Sequence, residues 1–513
     1  MRSLAVIGNL LWAIYFGASC FARLSVRATL FGMHLTPRFV AQALGLTITV
    51  SSGADQPFAA VVTDSRKIVK GCLFVALKGD KFDGHAFIES AVQQGARAVL
   101  CGRDLLAELN KTFPQTEFFA VPDSQEGFRA LSGAWRRQFK IPLIVIAGAN
   151  GKTTTKELLA AILTGKFTQV LKTVGSQNGY LGIPMTLMEL RPSHGAAVVE
   201  VGIDEIGAMA KHLELVEPTA SLVTVIGPEH LEKLQDLATV AREEGLALSH
   251  VAARGGIVAL NLDDPWLEPF AKTLSSGRKI GYSLTRTQAD GLDEVVAGTL
   301  TDHGTSLVLN GGGLSQLSLK LPLLGKHNAT NLLAAVTLAR ALGLNPDEIR
   351  NGLSTFKGPE GRSELRMLAG TTPVICDYYN ASPLSMEVGL DLLDQVASRK
   401  GTQKKVRWAC LADMLELGLN EETYHRSLAD KLCALQIENI LLYGPRMEWL
   451  LNELKKRDFQ GIFKHFSNHS DLTKALTKDL KREDAVLIKG SHSMRMEEVW
   501  KLLEAFAQKT WHS

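Results

Sequence analysis

The stretch Gly148-Ala149-Asn150-Gly151-Lys152-Thr153-Thr154 combines residue types that hold a phosphate. Gly148 and Gly151 permit a tight turn whose backbone N–H groups converge on one anion. Lys152 adds a point charge for phosphate oxygens, and the Thr153 hydroxyl is placed to ligate a phosphate-bound Mg2+. The general pattern has an earlier glycine where Ile146 stands, so an ordinary strand–turn–helix with a surface lysine is the alternative. Glu200 and His230 each follow an apolar run and could complete an oxygen-rich Mg2+ site, though each is also an ordinary polar strand end. Asn328 and Asn331 open a helix, where N-capping explains asparagine equally well. Asp377 leads into the polar loop Tyr378-Tyr379-Asn380-Ala381-Ser382-Pro383. Lys489-Gly490-Ser491-His492 is a second cationic turn able to meet an anion.

These groups need a scaffold that gathers strand ends. Residues 141–147 read as a buried strand and Lys152 onward as a helix. Apolar strands at 196–202, 220–226 and 256–261 alternate with helices, the pattern of a doubly wound, mostly parallel sheet. Ligands bind such sheets at the carboxyl ends of the strands, where Lys152, Glu200 and His230 fall. Ahead of it, residues 61–66, 72–77 and 98–100 read as strands and 86–94 as a helix. A helix over 126–139 bridges into the next unit. A Gly/Pro break at 357–362 precedes a third α/β unit with strands at 374–377, 407–411, 439–443 and 485–488.

The 513 residues, 46% of them hydrophobic, suffice for several cores. A net charge of +3 favours neither nucleic acid nor a membrane surface as partner. Six cysteines (Cys20, Cys72, Cys101, Cys376, Cys410, Cys433) lack metal-ligand spacing and read as reduced thiols of a cytoplasmic protein. Residues 4–22 are nearly all apolar, flanked by Arg2, Arg23 and Arg27, the length of a marginal membrane span or a signal core. A translation start fits at Met33, so residues 1–32 read as an upstream start or dispensable extension. An anchor facing the cytoplasm is the alternative, which leaves membrane association open.

Together these motifs resemble the Mur ligases of peptidoglycan synthesis over roughly residues 33–500. Ala147 to Thr153 is similar to the family's shortened phosphate loop, which accounts for Ile146. Asp64-Ser65-Arg66, residues 73–79 and Asp83-Gly84-His85 resemble a uridine-sugar-binding first domain. Residues 175–184 resemble a substrate-facing loop, and Glu200-Val201-Gly202 with His230-Leu231-Glu232 the Mg2+-associated positions. Gly325 to Asn331, Asp377 to Met386, residues 413–418 with His425, and Lys489-Gly490-Ser491 complete the pattern. The resemblance implies an α/β fold of three domains: a small α/β N-terminal domain (33–139), a central P-loop domain with a doubly wound, mostly parallel sheet (140–358), and a Rossmann-like C-terminal domain (359–513).

It also implies ATP and Mg2+ as cofactors, UDP-MurNAc-tripeptide and D-Ala-D-Ala as substrates, no nucleic acid, and a monomer. ATP would phosphorylate the tripeptide carboxylate, and the dipeptide amine would displace phosphate. The implied ATP site comprises Gly148, Asn150, Gly151, Lys152, Thr153, Thr154, Asn328, Asn331, Arg362 and Asp377, with Thr153, Glu200 and His230 on the metal. Ser65, Arg66, Asn178, Asn380 and Lys489 would meet substrate. Three departures stand out. Gly179 and Ser382 replace asparagines, and Glu244 falls where the family carries a lysine carboxylated by CO2. Glutamate offers the same charge permanently on a shorter arm, so Glu244 is expected to join Lys152, Glu200 and His230 in catalysis without bicarbonate. A ligase adding a diamino acid would carry an Asp-Asn-Pro-Arg turn where residues 413–418 stand. A catalytically weakened homologue acting as a binding module is the reading from another class.

Overall fold

The computed structural model describes residues 35–47, 55–79, 82–301, 304–398 and 405–511. The apolar stretch 4–22 and the start at Met33 lie outside them. No helix among the described residues is long and apolar enough to cross a membrane. The first described helix, Pro37–Ala43, begins where Thr36 accepts the Phe39 N–H, with proline in the first helical position.

Each of three sheets draws on one contiguous stretch. The first joins β1 (Val61–Val62), β2 (Leu73–Val75), β3 (Ala98–Gly102) and β4 (Glu117–Val121) in that order, all parallel. The expected bridging helix is Ser124–Arg136, capped by Asp123. Its buried Arg136 donates to Val216 O at 2.8 Å and Glu217 O at 2.9 Å, and Trp135 Nε1 donates to Leu190 O at 3.3 Å. A buried guanidinium satisfied by backbone carbonyls fixes the helix against the middle domain.

The middle sheet contains β5 (Leu143–Ala147), β6 (Val170–Lys172), β7 (Ala196–Glu200), β8 (Ala220–Val223), β9 (Ile257–Asn261), β10 (Arg278–Ser283), β11 (Glu294–Thr301), β12 (Ser306–Gly311) and β13 (Leu314–Lys320). Their order is β13-β12-β11-β10-β9-β8-β5-β7-β6, parallel except for the antiparallel β11–β12–β13 flank, which the sequence reading did not anticipate. Every residue of β5 is buried, as a central strand covered on both faces requires. The chain passes from β5 to β6 and β7 on one side and returns to β8 on the other. The loop after β5 therefore sits at the topological switch point. Helices Lys152–Leu163 and Lys326–Ala341 share one core through Leu158, Leu159, Ile162, Leu332, Leu333 and Val336.

The third sheet, β14 (Glu364–Leu368), β15 (Thr372–Asp377), β16 (Arg407–Ala412), β17 (Asn439–Tyr443), β18 (Ile462–Phe466) and β19 (Ala485–Lys489), has the order β14-β15-β19-β16-β17-β18, parallel except for β14. Among the described residues Cys72, Cys101, Cys376, Cys410 and Cys433 are unpaired thiols, the first four buried.

Candidate active site

The loop after β5 is shaped by close approach. Gly148 has φ +112°, and a Cβ there would stand 2.4 Å from Thr224 Oγ1 and 2.8 Å from Thr224 N. Gly151, φ +83°, caps the helix Lys152–Leu163, and its Cβ would stand 2.6 Å from Asn331 Oδ1. Only glycine fits both places. Ala149 N–H donates to Val225 O at 2.8 Å, and Thr224 Oγ1 donates to Asn150 O at 2.6 Å. Thr154 is buried in the first helical turn.

Lys152 places its ammonium against Gly148 O and 3.1 Å from Glu229 Oε2. Burial pulls its pKa down, but Glu229, Glu244 and Glu200 outweigh burial and raise it, so the cation is secure. Thr153 Oγ1 donates to Glu200 Oε2 at 2.8 Å. Glu200 is further held by Asn178 Nδ2 at 2.9 Å and by Lys156 Nζ at 3.6 Å. Lys156, 1% exposed, also donates to Thr173 O at 2.7 Å. Asn178, expected at the substrate, spends its amide on the carboxylate beside Thr153.

Glu244 is fully buried beneath the loop and accepts the Gly148 N–H at 2.7 Å on Oε2. Burial, then the neighbouring Glu229 carboxylate, hold it well above the usual carboxylate range. Buried Glu229 Oε1 and Glu244 Oε1 have no hydrogen-bond partner. Among the described residues no group of three or more His, Cys, Asp or Glu side chains is set to hold a metal. The oxygen donors nevertheless fit Mg2+, which keeps several waters and needs one or two protein ligands beside phosphates. A hydroxyl and a carboxylate oxygen 2.8 Å apart, with two unpartnered buried carboxylate oxygens nearby, are hard donors of that kind. His230 has φ +45° and places Nδ1 3.1 Å from Glu416 Oε2 of the C-terminal domain, so its partner lies across the domain boundary.

The other expected residues divide between loop support and the C-terminal domain. Asn331 packs on Gly151, and its Nδ2 donates to Asn328 Oδ1 at 3.4 Å, while Asn328 Nδ2 donates to Leu324 O at 2.7 Å. Asp377 Oδ1 accepts the Ser363 N–H at 2.9 Å, and its Oδ2 lies 2.6 Å from Lys489 Nζ. Lys489 is 1% exposed and also donates to Asn380 O at 3.0 Å, so its charge serves as a buried counter-ion. Asn380 Oδ1 accepts the Ala381 N–H at 2.9 Å. The Arg362 guanidinium lies 4.0 Å from the centre of the Tyr379 ring. In the first domain Arg66 forks onto Asp64, at 2.8 and 2.9 Å, beside Ser65 at the start of a short 3-10 turn. Glu229 and Lys156 carry no expected role in the sequence, and Thr173, Tyr180, Tyr379 and Glu416 stand in or beside its motifs without a role of their own.

Ser382 joins the two larger domains. It caps the helix Pro383–Ala397, and its hydroxyl donates to Asn150 Oδ1 at 3.2 Å. Asn150 Nδ2 is buried without a partner. Ser382→Ala is expected to cost about 1–2 kcal/mol, seen as a lower thermal midpoint, with Ser382→Asp retaining the cap.

A phosphate loop at the switch point of a mostly parallel sheet, flanked by two smaller α/β domains, defines the class of multidomain nucleotide-dependent α/β proteins. Residues 57–132 match the Mur ligase family catalytic domain, 146–339 the Mur ligase middle domain, and 361–492 the Mur ligase glutamate ligase domain. The chain is 35% identical over 436 residues to a UDP-N-acetylmuramoyl-tripeptide–D-alanyl-D-alanine ligase from Synechocystis sp., covering 85% of this chain and 89% of that protein. The ligase of that name from Escherichia coli is 32% identical, covering 88% and 95%. The crystal structure of MurF from Acinetobacter baumannii superposes with a TM-score of 0.77 at 26% identity, covering 91% and 98% of the two chains. The chain belongs to the Mur ligase family.

Proposed function

We propose that this protein is the ATP-dependent ligase that adds D-Ala-D-Ala to UDP-MurNAc-tripeptide in peptidoglycan precursor synthesis. The observation that carries this reading is Lys152 held among Glu200, Glu229 and Glu244, with Thr153 on Glu200, in a chain whose relatives bear that ligase's name. The loop N–H groups and Lys152 bind the β- and γ-phosphates of ATP in line with the tripeptide carboxylate. A carboxylate oxygen attacks the γ-phosphorus, ADP leaves, and the dipeptide amine attacks the acyl carbon. Phosphate leaves as the C–N bond forms and the amine loses its proton. Thr153 and Glu200 would hold Mg2+, with His230 of the middle domain as a further candidate, and the ion would supply positive charge that offsets repulsion between the anionic reactants. Three domains around one site shield the acyl phosphate from water.

Glu244 stands beneath the loop with no lysine to carboxylate, so activity needs no bicarbonate, although burial and Glu229 favour its neutral form over the permanent charge expected from the sequence. Purified protein with ATP, Mg2+, UDP-MurNAc-tripeptide and D-Ala-D-Ala should release ADP only when both acceptor and dipeptide are present, at the same rate with and without added bicarbonate. Absence of ADP with any dipeptide or amino acid would sink the ligase reading. Stimulation of the native protein by bicarbonate would sink the role given to Glu244.

A further inference from the structure

Residues 174–182 form a loop that touches all three domains, and most of those contacts fall outside the phosphate site. Ser176 Oγ hydrogen-bonds Tyr379 of the C-terminal domain. Asn178 donates to Glu200 Oε1 at 2.9 Å and accepts the Gly202 N–H at 2.8 Å on its carbonyl. Tyr180 is gripped from the helix Ser124–Arg136. Its hydroxyl donates to the Glu126 carboxylate, and Arg129 lies 4.2 Å from the ring centre while donating to Tyr180 O at 2.7 Å and Lys211 O at 3.0 Å. Burial and Glu126 push the Tyr180 hydroxyl up to about 12, so it remains a donor.

Gly182 packs on the Gln177 backbone, but from Val174 to Gly179 the loop has little other packing of its own. Val174 is exposed, and a Cβ at Gly175 or Gly179 would meet nothing within 4 Å. Its course is therefore set by its anchors, and Tyr180 is the anchor two residues beyond Asn178. Without the Asn178 amide, Glu200 Oε1 loses the donor that fixes which oxygen faces Thr153. Outer partners of this kind orient metal-binding carboxylates, and their removal costs about 10–100-fold in metal affinity.

We propose that Tyr180, held by Glu126 and Arg129, is a positioning residue for Glu200, fixing the loop so that Asn178 orients the carboxylate beside Thr153. This rests on the nucleotide–Mg2+ reading of Thr153 and Glu200. The probe is Mn2+ with ADP on the full-length protein, bound Mn2+ being read by electron paramagnetic resonance. Tyr180→Ala and Asn178→Ala should each weaken Mn2+ binding about 10-fold. The double variant should be no weaker than Asn178→Ala alone, because one residue acts through the other. Tyr180→Phe, which keeps the ring over Arg129 and loses only the bond to Glu126, should show a smaller loss with an unchanged melting temperature. Additive losses, or native Mn2+ affinity in Tyr180→Ala, overturn the proposal. Should Tyr180→Ala not fold, native affinity in Tyr180→Phe overturns it instead. A native protein that binds no Mn2+ with ADP would bring down the metal reading itself, and the proposal with it.

Discussion

Lys152→Met is expected to lower kcat/KM for ligation by about 10²–10³-fold while the protein still folds. The methionine fills the space of the lysine stem, so the loop keeps its packing and loses only the ammonium. What remains is a loop ringed by Glu200, Glu229 and Glu244, with only Lys156, 3.6 Å from Glu200 and already committed to it, to offset them or an incoming triphosphate. Both ADP binding and turnover should fall, because the same charge holds the phosphates in the ground state and as the γ-phosphoryl moves. Lys152→Arg should restore little. A compact ammonium fits between Gly148 O and Glu229, whereas a planar guanidinium fork does not. The check is the rate of ADP release across a range of ATP concentrations, from well below to well above KM, with a melting curve to confirm folding. A kcat/KM within about threefold of native would remove Lys152 from the chemistry.

How much of this was legible depends on how local each signal is. Strands β5, β7, β8 and β9 are continuous apolar runs, so the sheet that carries the loop could be read directly, and so could the glycines that shape it. The β11–β12–β13 flank escaped because its strands alternate, with Leu307 and Leu309 buried on one and Leu317 and Leu319 on the next. Gly311, Gly312 and Gly313, all at positive φ, mark the turn between β12 and β13, and a period-two reading around them would have found the hairpin. Lys156 carries no expected role in the sequence, yet it lies four residues beyond Lys152 and so on the same face, which the helical repeat does announce. Glu229 and Asn178 are different. Their partners Lys152, at the start of a helix, and Glu200, at the end of a strand, are distant in sequence, and only the folded sheet brings them together. His230 is read toward Mg2+ from its place after a strand, and the fold also sets its ring against Glu416, a contact no spacing within one domain could reveal.

Glu244→Gln is expected to make the protein more stable and less active, in a pH-dependent way. Glu244 has an ordinary value of 4.5 when unfolded, and in the fold burial and Glu229 hold it well above that. Above about pH 4.5 the unfolded chain releases this proton while the folded chain keeps it, so the folded state binds more protons and stability falls as pH rises. The contribution is fully present below the unfolded value and is lost as pH climbs towards the folded one. Glutamine has no proton to release. It can accept the Gly148 N–H through its oxygen and donate from its amide to Glu229, giving the unpartnered edge of the pair a hydrogen bond. Thermal midpoints of native and variant should lie closest near pH 4.5 and diverge with rising pH, the variant becoming the more stable of the two. Ligation should move the other way, falling about 10–100-fold with a higher Mg2+ requirement, because the carboxyl is then no longer available to the cation. A variant no more stable at pH 8 than native would show that Glu244 is ionised in the fold, and native activity in the glutamine variant would confine Glu244 to supporting Gly148.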